Sequence, residues 1–157
     1  KYLLGHERTG IAGIGSCKQQ LARAHQLARQ QGLGEDPLLQ ARLAQFEVEL
    51  MALEFTALRL LSPHQQSRTP GVEASMLKVR GTELRQAIYE TLVDIAGPDA
   101  VPFSLAAQEL EHLDQAAVDQ ALVALTANCL DSRKVTIYGG TNEVQRNLIA
   151  RATLDAY

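Results

Sequence analysis

The strongest constraint on the fold of this chain is a long apolar stripe with helical spacing. It follows Asp36-Pro37, a helix-capping residue and a proline at the first helical position, where the missing N–H does no harm. Steps of four and three residues place its members on one helix face: Leu39, Leu43, Phe46, Leu50, Leu53, Ala57 and Leu60. The stripe predicts a helix to about Ser62, roughly 40 Å long, which must pack against other helices.

Three further segments supply those helices. One precedes Gln31-Gly32 and carries Ile14, Cys17, Leu21, Ala24 and Ala28. Another runs from about Val72 to Gly97-Pro98 and carries Leu77, Leu84, Ile88, Leu92 and Ile95. Its interior Gly81 is expected to mark a close helix crossing, since glycine disfavours a helix by about 1 kcal/mol against alanine. A fourth is expected from near Ser104, with Val118, Leu122, Leu125 and Cys129 as its stripe.

The C-terminal segment departs from this pattern. Residues 134–138 are β-branched in part, Gly139-Gly140 breaks the helix, and Thr141-Asn142 offers an N-cap for a last helix through Arg151. The sequence thus predicts an all-α fold, an up-down four-helix bundle with a short additional C-terminal helix, as one domain over residues 1–157. The chain opens with Lys1 and has no initiator Met or signal peptide, so we expect a piece of a longer protein.

Composition excludes several classes of protein. Fifteen Lys and Arg against eighteen Asp and Glu give a net charge of −3 without a basic block, which disfavours nucleic acid. An apolar run of the length of a membrane span does not occur. Cys17 and Cys129 form no Cys-x-x-Cys pair and are expected to be buried thiols in a reducing compartment, the cytoplasm.

Two motifs that suggest metal or nucleotide binding are incomplete. Glu109-x-x-His112 has the spacing of a di-iron bundle ligand pair, but the second pair is missing, so no metal site is predicted. Residues 10–15 read GxxGxG, the wrong order for a dinucleotide loop and in a helical setting. Small residues for close helix packing explain this stretch better.

Two segments at opposite ends of the chain carry a family resemblance. They are Gly5-His6-Glu7-Arg8 and the stretch from Ile137 to Asn147, which reads IYGGTNEVQRN. Taken alone, each could be an ordinary helix start or capped loop. Together they resemble the C-terminal all-α domain of acyl-CoA dehydrogenases, and the resemblance covers the whole chain. In that family a helical domain and a β domain that binds much of the FAD precede this domain.

The resemblance implies α,β-dehydrogenation of an acyl-CoA thioester. A carboxylate removes the α-proton, and the β-hydrogen leaves as hydride to the flavin. Many relatives carry that carboxylate directly after the signature tyrosine, where this chain has Gly139. Another branch carries it just before the arginine of the first helix, which is Glu7 here, so Glu7 is the expected general base and Arg8 the residue that orients the site electrostatically.

The same resemblance assigns roles to the Gly-Gly turn. The backbone N–H of Gly139 is expected to donate to the thioester carbonyl and stabilise the enolate, and Gly140 to let the backbone pass close to the substrate. Thr141 and Glu143 match positions that contact the ADP half of FAD.

Departures from the family pattern leave a second hypothesis open. Residues 29–34 lack the phenylalanine of the Arg-x-x-Phe-Gly stretch that reaches a neighbouring subunit's flavin, and residues 94–98 replace the usual Gln-x-x-Gly-Gly turn. The chain could therefore belong to a non-catalytic, structural subunit, or to a divergent enzyme that forms homo- or hetero-oligomers through its helices.

Overall fold

The computed structural model describes residue 10 and residues 12–61, 72–100 and 116–154. Within these ranges the chain forms α1 (Ile14–Gln30), α2 (Pro37–Leu61), α3 (Val72–Ala96), α4 (Ala116–Asp131) and α5 (Asn142–Leu154). Short 3-10 helices follow α3 and α4, at Gly97–Ala100 and Ser132–Thr136. The described ranges contain no strand, and the predicted all-α bundle with a C-terminal helix is confirmed. The expected start of α4 near Ser104 lies outside the described residues.

Helix α3 is the centre of the fold. Helices α1, α2, α4 and α5 all pack against it, so its buried residues occupy several faces instead of a single stripe. The residues predicted to form its core are all buried: Leu77, Leu84, Ile88, Leu92 and Ile95. The α2 stripe is also confirmed, with Leu43, Phe46, Leu50 and Leu53 buried and Leu39, Ala57 and Leu60 packed at the edge of the core.

Local sequence signals set the ends of α1 and α2. The backbone N–H of Leu39 donates to the Asp36 carboxylate at 2.8 Å, so Asp36 is the N-cap of α2 as its sequence predicts. Gly32 follows α1 with φ +71°, a conformation that glycine adopts without a steric penalty. The N–H of Leu33 then closes the helix end on the Ala28 carbonyl at 2.8 Å.

Gly81 marks a close approach, although its partner is the turn before α1 and not a helix as expected. A Cβ at this position would lie 2.7 Å from both the Cα and the carbonyl oxygen of Ala12. The GxxGxG stretch therefore packs through its alanine, since a Cβ at Gly10 or Gly15 would meet nothing within 4 Å. Gly13 adopts φ +61° just before α1 begins.

Both cysteines are free and buried, as predicted. Burial raises the pKa of the Cys17 thiol to about 11, while the positive charge of Arg85 opposes this rise. The thiol is thus protonated at neutral pH and acts as a small apolar group in the core. Among the described helices, none combines the length and the apolar content that crossing a bilayer demands.

Candidate functional site

Four of the six predicted site residues lie together between the second 3-10 helix and α5. Gly139 and Gly140 form the turn, Thr141 is the residue before α5, and Glu143 lies in the first turn of α5. The other two, Glu7 and Arg8, lie outside the described residues, as do Glu109 and His112. We call residues 132–146 the signature segment.

The Gly-Gly turn has a backbone that favours glycine at both positions. Gly139 has φ +68° and Gly140 has φ +91°, values that side chains with a Cβ rarely adopt. A Cβ at Gly140 would also lie 2.5 Å from Nε2 of Gln145. Gln145 is 0% exposed, and neither polar atom of its amide has a partner within the described part of the chain.

The Gly139 N–H differs from the two amides that precede it. The two preceding amides, of Ile137 and Tyr138, both donate to the carbonyl of Lys134. Across the described residues no hydrogen bond engages the Gly139 N–H. An N–H without an acceptor in the described residues is what the role assigned by the resemblance requires.

Thr141 and Glu143 organise the N-terminus of α5. The Thr141 hydroxyl accepts from the N–H of Val144 at 3.3 Å, and the Thr141 carbonyl accepts from the N–H of Gln145 at 3.0 Å. Hydrogen bonds from its own backbone N–H and from the Thr141 hydroxyl lower the pKa of the exposed Glu143 carboxyl. Glu143 therefore carries its negative charge at neutral pH, next to the positive end of the helix dipole.

A polar stripe on α3 holds the signature segment in place. Lys78, Thr82 and Gln86 lie four residues apart and all face that segment. Lys78 donates to the side-chain oxygen of Asn142 at 2.6 Å and to the carbonyl of Thr136 at 3.2 Å. The Asn142 amide donates to the Thr82 hydroxyl at 3.1 Å. Gln86 donates to the carbonyl of Ser132 at 3.1 Å.

Sequence reasoning did not single out these residues. A run of polar side chains at helical spacing usually marks a face turned to water, and only the packing of α5 shows that this one is buried. Lys78 and Thr82 are both 0% exposed, and Asn142 is 2% exposed.

Lys78 is a buried amine whose described hydrogen-bond partners are both neutral. Burial lowers its pKa, and the negative charge of nearby Glu143 opposes that shift. Hydrogen bonds from an ammonium group to neutral acceptors are stronger than those between neutral groups, and losing one partner of a buried charge is destabilising. The Lys78 contacts are consequently the firmest polar links between α3 and the signature segment.

Ion pairs at the surface flank this buried network. Arg133 pairs with Glu90 at 2.5 Å, and Arg146 pairs with Glu83. These pairs are about half exposed, so each contributes about 0 to 1 kcal/mol. They tie both ends of the signature segment to α3 but add less to its position than the buried contacts do.

The outer side of the turn is apolar and exposed. Ile137 and Tyr138, just before the glycines, are 64% and 45% exposed. Val144 and Leu148, four residues apart on α5, are also exposed. Several exposed apolar side chains within twelve residues of one another are typical of a surface that a ligand or another part of a protein covers.

The residues here fit part of a flavin nucleotide. A negative carboxylate such as Glu143 repels a pyrophosphate but accepts hydrogen bonds from ribose hydroxyls. The Glu143 carboxylate is exposed and lies 3.7 Å from the Arg146 guanidinium. The half-buried Thr141 sits at the positive end of α5, which favours a negatively charged ligand. These groups are chemically compatible with the ADP half of FAD.

The fold defines the chain as a helical-bundle domain with a glycine turn before its last helix. Sequence comparison agrees with this class. The family described as "Acyl-CoA dehydrogenase, C-terminal domain" matches residues 1–154. The chain belongs to this family, which confirms the resemblance. It is 30% identical over 148 residues to "Acyl-CoA dehydrogenase IpdE1" of Mycolicibacterium smegmatis (strain ATCC 700084 / mc(2)155), covering 90% of the chain and 33% of that protein.

Solved structures show the same fold. The "Tcur3481-Tcur3483 steroid ACAD" superposes on 97% of this chain with a TM-score of 0.71 at 24% identity, and its G363A variant gives 0.72. The chain covers 37% and 38% of those chains. It therefore spans about a third of the length of the relatives that it matches.

Proposed function

We propose that this chain is the C-terminal domain of a flavin-dependent acyl-CoA dehydrogenase that introduces a double bond between the α and β carbons of an acyl-CoA thioester. The observation that carries the proposal is the Gly139-Gly140 turn, where a backbone N–H without an acceptor in the described residues lies beside exposed apolar side chains and a helix N-terminus. A cytoplasmic enzyme fits the two free thiols. The steroid named for the solved relatives makes a steroid-linked acyl-CoA the first substrate class to test.

In the proposed reaction Glu7 is the general base. Its carboxylate takes the α-proton, and Arg8 stabilises the charge that develops next to it. Ala12, five residues after Glu7, lies against Gly81 of α3, and Gly81 adjoins Thr82 in the network that holds Asn142. Ala12 and Asn142 thus contact neighbouring residues of α3, which supports the assignment of Glu7 to the same site as the turn.

Gly139 and Gly140 bind and polarise the thioester. The Gly139 N–H donates to the thioester carbonyl, which makes the α-proton more acidic because negative charge moves onto that oxygen during proton removal. Gly140, without a Cβ, leaves room for the substrate against the backbone. Thr141 and Glu143 would hold the ADP half of FAD, and bound FAD would supply the acceptor for the hydride that leaves the β carbon.

The test of this assignment is Glu7→Gln in the full protein that contains this domain. We expect flavin to remain bound while substrate-dependent flavin bleaching slows by about 10²- to 10⁴-fold, since the amide cannot accept the proton. The probes are butanoyl-CoA, octanoyl-CoA and the CoA thioester of a steroid side-chain acid. Glu35→Gln is the matched control, because Glu35 is exposed in the loop between α1 and α2. Unchanged bleaching in Glu7→Gln would reject Glu7 as the base.

A second candidate function has its own support in α2. Opposite its core stripe, α2 exposes a second apolar stripe, which we call the outer stripe: Ala41, Ala44, Val48, Met51, Phe55 and Leu58. Its steps of three and four match the heptad spacing of helices that pack on another helix. This surface fits a helix of a second subunit, and a purely structural role for this chain would use it without chemistry. Purification of the full protein without flavin in all conditions would favour that role.

A further inference from the structure

The Gly139-Gly140 turn is held at both ends by one buried side chain. Lys78 donates to the carbonyl of Thr136, which lies three residues before Gly139, and to the side chain of Asn142, which lies two residues after Gly140. The turn between these two points is exposed or half-exposed. Its position relative to the rest of the bundle therefore depends on what fixes its ends.

The Asn142 amide has one orientation that satisfies its neighbours. Its nitrogen donates to the Thr82 hydroxyl and its oxygen accepts from Lys78. The Thr82 hydroxyl itself donates to the carbonyl of Lys78 at 2.8 Å, one helical turn earlier. Thr82, Asn142 and Lys78 thus form a closed, buried network, and such networks define one geometry when all members are satisfied.

We propose that Lys78 is a positioning residue for the reaction: its ammonium group fixes the ends of the Gly139-Gly140 turn and so aims the Gly139 N–H at the thioester carbonyl. This inference rests on the proposed function. A donor to a developing oxyanion works only if it is held in place before the reaction, and loss of one such donor lowers kcat by about 10²- to 10³-fold in other enzymes. A donor that is displaced but not lost should have a smaller effect.

The test compares Lys78→Met with Lys134→Met in the full, flavin-containing protein. Methionine has a straight side chain of similar length but donates no hydrogen bond. Lys134 is an exposed lysine in the same segment, paired with Asp131 at 2.6 Å, and its variant should behave as the unmodified protein does. Rates of flavin bleaching with octanoyl-CoA and the steroid side-chain CoA thioester are normalised to bound flavin.

We expect kcat in Lys78→Met to fall by about tenfold to a hundredfold while KM changes by less than about threefold. We also expect a change in ligand preference. A CoA thioether, in which CH₂ replaces the thioester carbonyl, cannot accept a hydrogen bond from the Gly139 N–H, whereas the matching enoyl-CoA can. In the variant only the Kd of the enoyl-CoA should therefore rise, and the ratio of the thioether Kd to the enoyl-CoA Kd should shrink. A lysine with only a structural role would lower the amount of folded protein and leave this ratio unchanged.

The outcomes separate this inference from the proposed function. If the unmodified protein shows no bleaching with any probe, the proposed function fails, and the role of Lys78 fails with it. If the unmodified protein is active and Lys78→Met has the same kcat and the same Kd ratio, only the role of Lys78 is overturned. If Lys78→Met does not fold, Thr82→Val is the variant that tests the inference. It removes the hydroxyl that accepts a hydrogen bond from the Asn142 amide and keeps the side-chain volume nearly constant. We then expect a smaller fall in kcat, and an unchanged kcat overturns the inference.

Discussion

Two glycines with a positive φ differ in what surrounds them. Gly32 has φ +71° and Gly140 has φ +91°, but a Cβ at Gly32 would meet nothing within 4 Å, whereas one at Gly140 would lie 2.5 Å from Nε2 of Gln145. Gln145 is fully buried, so its amide must shift within the fold to make room for a Cβ at Gly140. The backbone therefore penalises substitution at both positions, and packing penalises it only at Gly140.

This difference gives a prediction at the scale of single residues. Gly32→Ala should lower the free energy of unfolding by about 1 kcal/mol for the left-handed backbone, and Gly140→Ala by about 2 to 4 kcal/mol because the methyl group also overpacks. The measurement is urea unfolding of this chain followed by circular dichroism. The double variant Gly140→Ala with Gln145→Ala has no clash between the new methyl group and the Gln145 amide. Relative to Gln145→Ala alone, its loss in the free energy of unfolding should therefore be close to the loss in Gly32→Ala. Equal losses in the two single variants would contradict the close approach of Gln145.

At the scale of elements, Gly81 allows the chain before α1 to lie directly on α3. A Cβ at Gly81 would lie 2.7 Å from the Ala12 backbone, and backbone atoms cannot move aside as the end of a side chain can. Gly81→Ala should therefore lower the free energy of unfolding by about 1 to 3 kcal/mol despite the better helix propensity of alanine. Gly15→Ala, in the first turn of α1 with open space around its Cβ, should be neutral or slightly stabilising. Unfolding of both variants by heat and urea measures the contrast, and a stabilised Gly81→Ala would show that the crossing is loose.

How far each element could be predicted depended on how many partners it has. Helix α2 has one face in the core of this chain, so its apolar period gave the buried residues correctly. Helix α3 contacts four other helices, and its period identified only the apolar part of what is buried. Lys78 and Thr82 were missed because a polar side chain that hydrogen-bonds inside the fold has the same sequence pattern as one in water. The Gly-Gly turn and its capping threonine were predicted, since both features are local.

For the whole molecule, the outer stripe on α2 is the surface that we expect another subunit to cover. Val48 and Phe55 are each 62% exposed, and Met51 and Leu58 are each 57% exposed. Together with Ala41 and Ala44 they extend over three heptads, nearly opposite the core stripe on the same helix. A continuous apolar row of this length on a surface helix favours a helix of a second subunit as its cover.

Phe55→Glu in the full protein tests that expectation. Removing most of the burial of one phenylalanine lowers the free energy of association by about 2 kcal/mol, or about thirtyfold in Kd, before the added penalty of a buried charge. Light scattering coupled to size-exclusion chromatography at micromolar concentration should therefore show a smaller assembly than the unmodified protein forms. Leu38→Glu is the matched control, because Leu38 lies on the same helix, is 81% exposed and falls outside the outer stripe. If the unmodified protein is monomeric, no second subunit covers this stripe. The same conclusion follows if the assembly formed by Phe55→Glu has the same molar mass as that of the unmodified protein, because a charge at residue 55 would weaken any interface that buries Phe55.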